Sequence, residues 1–192
     1  MKKSLLKELK ERKSNTVAIL DVGAGSGELL KTCHRFCHDI GISANLFGVE
    51  LNFEAARTIT KYSDSVIHSI CANAFVLPFD DKSFDYTICS LFTHHFTDEE
   101  VIEILSEMKR VTKRKIFVID LHRHPVAYYA YKALGRMILK SRLVRHDGAL
   151  SILRSFRPAE LIALAEKAGL PNPALSRSFP FRLILSASMK EI

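Results

Sequence analysis

The chain has 192 residues, 47% hydrophobic and 26% charged, with a formal net charge of +7. That balance suits one globular domain with a substantial core and excludes a disordered chain. No apolar run is long enough to span a bilayer, and four scattered cysteines (Cys33, Cys37, Cys71, Cys89) make no disulfide framework, so the expected compartment is a reducing cytoplasm.

In chain order, residues 1–14 are charged throughout and lack the apolar stretch of a signal peptide. They predict an amphipathic helix with Leu5, Leu6 and Leu9 on one side. Val17–Leu20 reads as a short apolar strand. Glu28–Ile40 carries Leu29, Leu30, Cys33, Phe36, Cys37 and Ile40 at helical spacing and is stopped by Gly41. Strands follow at 44–51, 65–71, 84–92 and 115–121, with a helix at 53–62. "TDEE" (97–100) opens another helix through a capping box, Thr97 to Glu100, whose buried face is Val101, Ile104, Leu105, Met108 and Val111. Residues 122–156 break the rhythm as a long insert. A helix then runs from Pro158 to Gly169, and "ALSRSFPFRLILSAS" closes the chain as two strands around a turn near Pro180. Strands alternating with helices predict an α/β fold, a parallel sheet covered on both faces, in a single domain spanning 1–192.

The stretch "ILDVGAGSGELL" (19–30) turns from a strand ending in Asp21, through Gly23, Gly25 and Gly27, into a helix. Glycines there permit positive φ and let a ligand approach the backbone closely. The spacing departs from the dinucleotide fingerprint G-x-G-x-x-G, and Glu28 would oppose a phosphate. A neutral or cationic nucleoside ligand fits better.

On these residues the chain resembles the class I S-adenosylmethionine-dependent methyltransferases over nearly its full length. The resemblance implies a three-layer, Rossmann-like sandwich with a seven-stranded, mostly parallel sheet, the last strand antiparallel. The D-x-G-x-G-x-G motif matches at Asp21, Gly23, Gly25 and Gly27, and in the family it wraps the methionine part of S-adenosyl-L-methionine, the acid helping to hold the amino group. "FGVELN" supplies Glu50 for the ribose hydroxyls and Leu51 to cover the adenine. "CANAFVLPF" puts Asn73 where the family has an acid facing the adenine amino group; an amide oxygen still accepts that hydrogen bond. Phe75 is expected to flank the base, and Ala74 and Ser90 complete the implied cofactor set. S-adenosyl-L-homocysteine would be the product. "SFDYTICSLFTHHF" matches the family's strand-four segment and its frequent His-His ending.

In parallel sheets, ligands bind beyond the carboxyl ends of the strands. Five of the eight histidines fall in such segments: His94 and His95 after the fourth strand, His122 and His124 after the fifth, and His146 in the insert. A neutral imidazole suits a general base for deprotonating a hydroxyl, with His95 the first candidate and His94 the second. No metal is expected: "SLFTHH" lacks the carboxylate- and amide-rich set of metal-dependent methyltransferases. Cys33 and Cys37 fall on an apolar helix stripe, as buried structural cysteines do.

The insert is apolar along 125–143, with Lys132, Arg136 and Lys140 as a basic stripe. It predicts a lid over a hydrophobic substrate, a dimer contact or a helix on anionic lipid. His122, His124, Tyr128, Arg145 and His146 are the candidate substrate contacts. The pattern is similar to small bacterial methyltransferases of lipid, quinone or polyketide-like substrates. The expected reaction is methyl transfer to a small apolar or aromatic acceptor at oxygen, with carbon methylation of a quinone or lipid-like precursor, or an RNA-binding methyltransferase, as alternatives. Basic clusters at 2–13, 109–115 and 132–145 leave a nucleic acid, a membrane surface or an acidic carrier protein open as partners. The turn that marks exocyclic-amine methylation of nucleic-acid bases would fall at "SLFT" and is absent, so nucleic acid is not favoured.

Overall fold

The computed structural model describes residues 2–10, 15–63, 65–138 and 141–189, with side chains at 2–4, 135–138 and 142–145 outside that description. Seven strands form one sheet: β1 (Thr16–Val22), β2 (Ser43–Glu50), β3 (Ile67–Cys71), β4 (Phe84–Ser90), β5 (Thr112–Leu121), β6 (Ala174–Ser178) and β7 (Arg182–Ser188). The helices are α1 (Lys2–Lys10), α2 (Glu28–Asp39), α3 (Phe53–Tyr62), α4 (Asp98–Val111), α5 (Pro125–Ile138), α6 (Arg142–Arg154) and α7 (Pro158–Lys167), with a 3-10 turn at Thr93–His95. The strand order is β3-β2-β1-β4-β5-β7-β6, and only β7 runs against its neighbours. This is the three-layer α/β sandwich expected from the alternating pattern.

The sheet reads as apolar runs because both faces are covered. On one face, Leu5 and Leu9 of α1, Leu30, Cys33 and Cys37 of α2, and Ile59 of α3 pack with Val17, Ile19, Leu46, Tyr86 and Phe117. On the other, the α4 stripe of Val101, Ile104, Leu105, Met108 and Val111 meets Leu161, Leu164 and Ala165 of α7 across Leu20, Val22 and Val118. Each such buried aliphatic side chain is worth about 1.5–3 kcal/mol relative to exposure. The short α1 is held by this burial and by Lys115 Nζ against Glu8 at 2.7 Å.

The capping box is present in full: Thr97 Oγ1 accepts from the Glu100 amide and Glu100 Oε2 from the Thr97 amide. Thr97→Ala is therefore expected to destabilise the fold by about 1 kcal/mol, read as a lower urea midpoint with unchanged slope. A second clamp fixes the loop between β3 and β4: Arg110 donates to the Leu77 and Phe79 carbonyls at 2.9 and 2.8 Å while pairing with Glu107 and Asp81.

The apolar stretch along 125–143 is not one continuous helix: α5 accounts for it as far as Ile138, and α6 begins at Arg142. The insert is a hairpin of α5 and α6, and its ends meet, since His122 bridges Phe156 and the Arg123 amide donates to the Phe156 carbonyl at 2.9 Å. Tyr131 lies so close to Gly148 that a side chain there would overlap its hydroxyl, so the helices pack on each other. Val126, Tyr129 and Leu134 stay exposed, because α5 meets α6 rather than the core. Leu139 and Lys140, and the side chains of Arg136, Met137, Ile138, Leu143 and Arg145, lie outside the described residues. Among the described residues no helix is long and apolar enough to cross a membrane.

Candidate active site

Parallel strands β1, β2 and β4 end at one edge, and the loops leaving them enclose a cleft of about 680 Å³. Gly23, Gly25 and Gly27 all take positive φ (70°, 57° and 74°), so the chain turns sharply from β1 into α2 with bare backbone. The reasons for glycine differ along the turn. A Cβ on Gly23 would sit 2.4 Å from the Phe92 ring, whereas at Gly25 it would meet no protein atom within 4 Å. Gly25 thus leaves open a space that belongs to the cleft.

Asp21 is buried at the end of β1, and its Oδ1 has no hydrogen-bond partner. Burial, reinforced by the charge of Glu50, raises its carboxyl well above the usual range. An unpaired buried acceptor is costly, and a bound ammonium would satisfy it. Glu50, at the end of β2, reaches back so that Oε1 accepts from the Gly25 amide. Leu51, 73% exposed, follows Glu50 but, like Gly27, Asn73, Ala74 and Phe75, is not among the residues that line the cleft. Ser90, Leu91 and Phe92 close the cleft from β4, and Glu28 lines it while paired to Lys31 at 2.9 Å. The cradle, the orphaned acceptor and the acid at the second strand fit S-adenosyl-L-methionine.

Asn73 behaves differently from expectation: its Oδ1 accepts from the Phe75 amide at 3.0 Å, so the amide oxygen is engaged in a local turn. Ala74 is buried beside it. Phe75 packs edge-on against Phe96, which packs against Phe92, making an aromatic wall.

The two adjacent histidines sit in distinct surroundings. His94 is buried, and its Nδ1 lies 2.6 Å from Asp120 Oδ1. The Asp120 carboxylate, at the end of β5, also accepts from Thr93 Oγ1 at 2.6 Å, the His94 amide at 3.1 Å and the Leu121 amide at 2.7 Å. His94 is thus bonded to the protein through Nδ1 and, unlike the expectation for a second candidate base, is not among the residues that line the cleft. His95 lines the cleft and lies against His94, ring centroids 4.2 Å apart. Partial burial and the neighbouring His94 hold its pKa below the ordinary histidine value.

The expected substrate contacts scatter. His122 and His124 line a second pocket beyond β5, lined by none of the residues of the cleft at β1, β2 and β4. Tyr128 is half-buried under Lys132 and lines neither. His146 is exposed on α6 next to Asp147, and the Arg145 side chain lies outside the described residues. Sequence reasoning missed Thr32 and Arg35, which line the cleft from α2. Their spacing from Glu28 (i, i+4, i+7) on the helix that leaves the glycine turn is the signal that would have found them.

The strand order, the glycine turn and the acid ending β2 define a class I, S-adenosylmethionine-dependent methyltransferase. Residues 20–119 match the methyltransferase domain family, and the chain belongs to it. It is 27% identical over 171 residues to the ubiquinone/menaquinone biosynthesis C-methyltransferase of Hahella chejuensis (strain KCTC 2396), covering 80% of this chain and 66% of that one. The chain thus spans about two thirds of that relative's length. In fold it is similar to a SAM-dependent methyltransferase from Aquifex aeolicus (TM-score 0.70, 15% identity, 98% of this chain and 89% of that one). It is also similar to magnesium protoporphyrin IX methyltransferase from Synechocystis PCC 6803 with bound S-adenosylhomocysteine (TM-score 0.63, 14% identity, 97% and 80%).

Proposed function

We propose that the chain transfers a methyl group to oxygen on a small apolar or aromatic acceptor, without a metal, with His95 as the general base. The observation that carries this reading is that His95 lines the same cleft as Asp21 and the glycine turn. When bound, S-adenosyl-L-methionine supplies an electrophilic methyl group for in-line displacement, a reaction that depends chiefly on alignment and exclusion of water.

The residues divide the work. Asp21 and the glycine turn hold the amino-acid end of the cofactor, and Glu50 holds its ribose. Phe92, backed by Phe96 and Phe75, offers an aromatic wall to a flat acceptor. His95 takes the acceptor's hydroxyl proton on a ring nitrogen, and its lowered pKa keeps that nitrogen unprotonated at neutral pH. His94 supports the ring from behind and is itself fixed by Asp120.

His95→Gln is expected to lower turnover by about 10²–10³-fold, within the range for a positioned base. In the wild type, turnover falls with acid as His95 takes up a proton. Because its pKa is lowered, that decline lies below the ordinary histidine value and is absent from the variant. A pH profile of single turnover checks both.

A second reading is carbon methylation of a quinone precursor, favoured by the Hahella chejuensis relative. Deprotonating a ring hydroxyl also activates the adjacent ring carbon, so the same base would serve. The two are separated by incubating the protein with methyl-¹³C cofactor and a panel of phenols and quinols. Methoxy signals in the ¹³C spectrum support oxygen transfer, and aryl-methyl signals select carbon. No labelled product from a protein that binds the cofactor would overturn both.

A further inference from the structure

The pocket beyond β5 encloses about 430 Å³ between the end of that strand and the β6–β7 hairpin. It is lined by His122, His124, Arg177 and Arg182, with Phe179 and Phe181, and by no carboxylate. We propose that these four basic side chains form an anion-binding subsite that anchors a carboxylate or phosphate at the far end of the methyl acceptor. The proposal rests on the methyl-transfer reading above and extends it: the acceptor has an aromatic body and an anionic end.

Four independent observations converge. First, Arg177 and Arg182 have no ion-pair partner among the described residues, so no carboxylate neutralises them in the pocket. The Arg177 guanidinium, whose charge reaches His122, offers paired N–H donors to a planar or tetrahedral oxyanion. Second, His124 Nδ1 accepts from the Val126 amide at 3.2 Å, so the neutral ring carries its proton on Nε2 and has a donor, not an acceptor, left to offer. Burial, together with His124 and Arg177, lowers the pKa of His122, and an anion between these groups would reverse part of that shift. Third, Phe181 stacks on His124 at 5.4 Å and Phe179 is 93% exposed, giving apolar surface beside the basic residues.

Position is the fourth. β7 runs antiparallel, so its first residue, Arg182, pairs with Leu121 at the end of β5. The pocket therefore opens on the same sheet edge as the cofactor cleft, which Ser90 borders at the end of β4. With β5 between them, β4 and β7 are two strand spacings apart, about 10 Å. That strand separation is of the order of the length of an elongated phenolic acid such as 4-hydroxycinnamate, which serves as the probe for an acceptor that reaches both sites.

The test is calorimetric titration of the full chain with 4-hydroxycinnamate, its uncharged methyl ester and inorganic phosphate, beside the R177Q/R182Q double variant. S-adenosylhomocysteine is titrated into every sample. The expected result is that the acid binds about tenfold or more tightly than the ester, and that the double variant loses that difference. The pKa of His122, followed by NMR of its ring Cε1 proton, rises when the acid is bound. Tighter binding of phosphate than of the acid, with the same arginine dependence, assigns the subsite to a phosphate-bearing acceptor. Equal affinity of wild type and variant for both anions, or binding of neither, overturns the subsite. If S-adenosylhomocysteine still binds in that case, the methyltransferase reading survives. If it binds to neither protein, the methyltransferase reading fails instead.

Discussion

Gly25→Val is expected to abolish cofactor binding while leaving the fold in place. At φ +57° a branched residue pays about 1–2 kcal/mol for the left-handed conformation, a loss of a few degrees in Tm for a domain of this size. A Cβ there otherwise meets no protein atom within 4 Å, and Gly25 lines the cleft. The added methyl groups fill that space, so S-adenosylhomocysteine affinity should fall by about 100-fold or more, roughly 2.7 kcal/mol. Calorimetry with a parallel melting curve separates the two effects. Gly23→Val is the contrast, since its Cβ would drive into the Phe92 ring and should damage folding and binding together. Wild-type affinity in a folded Gly25→Val protein would remove the cofactor from this cleft.

Asp120→Ala should be the most destabilising single change near the site. It strips the acceptor from the Thr93 hydroxyl, the His94 amide, the His94 ring and the Leu121 amide, all at a residue with no solvent exposure. Buried donors left without partners cost about 1–3 kcal/mol each, and breaking a buried charged network typically costs about 3–5 kcal/mol in total. The urea midpoint should fall accordingly. Thr93→Val removes one donor along with its need for a partner and should cost far less. The 3-10 turn carrying His95 depends on this carboxylate, so turnover in Asp120→Asn should drop more than cofactor affinity does. A stability loss below about 1 kcal/mol in Asp120→Ala would mean that something else holds the turn.

How much of this was legible beforehand follows from the range of each interaction. The strand–helix alternation, the α4 stripe, the Thr97–Glu100 box and the glycine turn depend on residues a few positions apart, and all appear as read. The apolar stretch 125–143 of the insert was legible as helical, but not its pairing: α5 and α6 pack on each other with Tyr131 against Gly148, a contact between residues 17 apart.

The sequence by itself determined the fold class, the glycine turn and the acid at the end of β2, because short-range periodicity and hydrogen bonding dictate them. Tertiary structure alone separated His94 from His95, since the deciding carboxylate, Asp120, arrives from another strand and leaves only His95 facing the cleft. It alone gathered Arg177 and Arg182 beside His122 and His124, because the antiparallel return of β7 joins segments more than fifty residues apart. Charges so distant in the chain share a pocket only through strand pairing, and no local pattern records that.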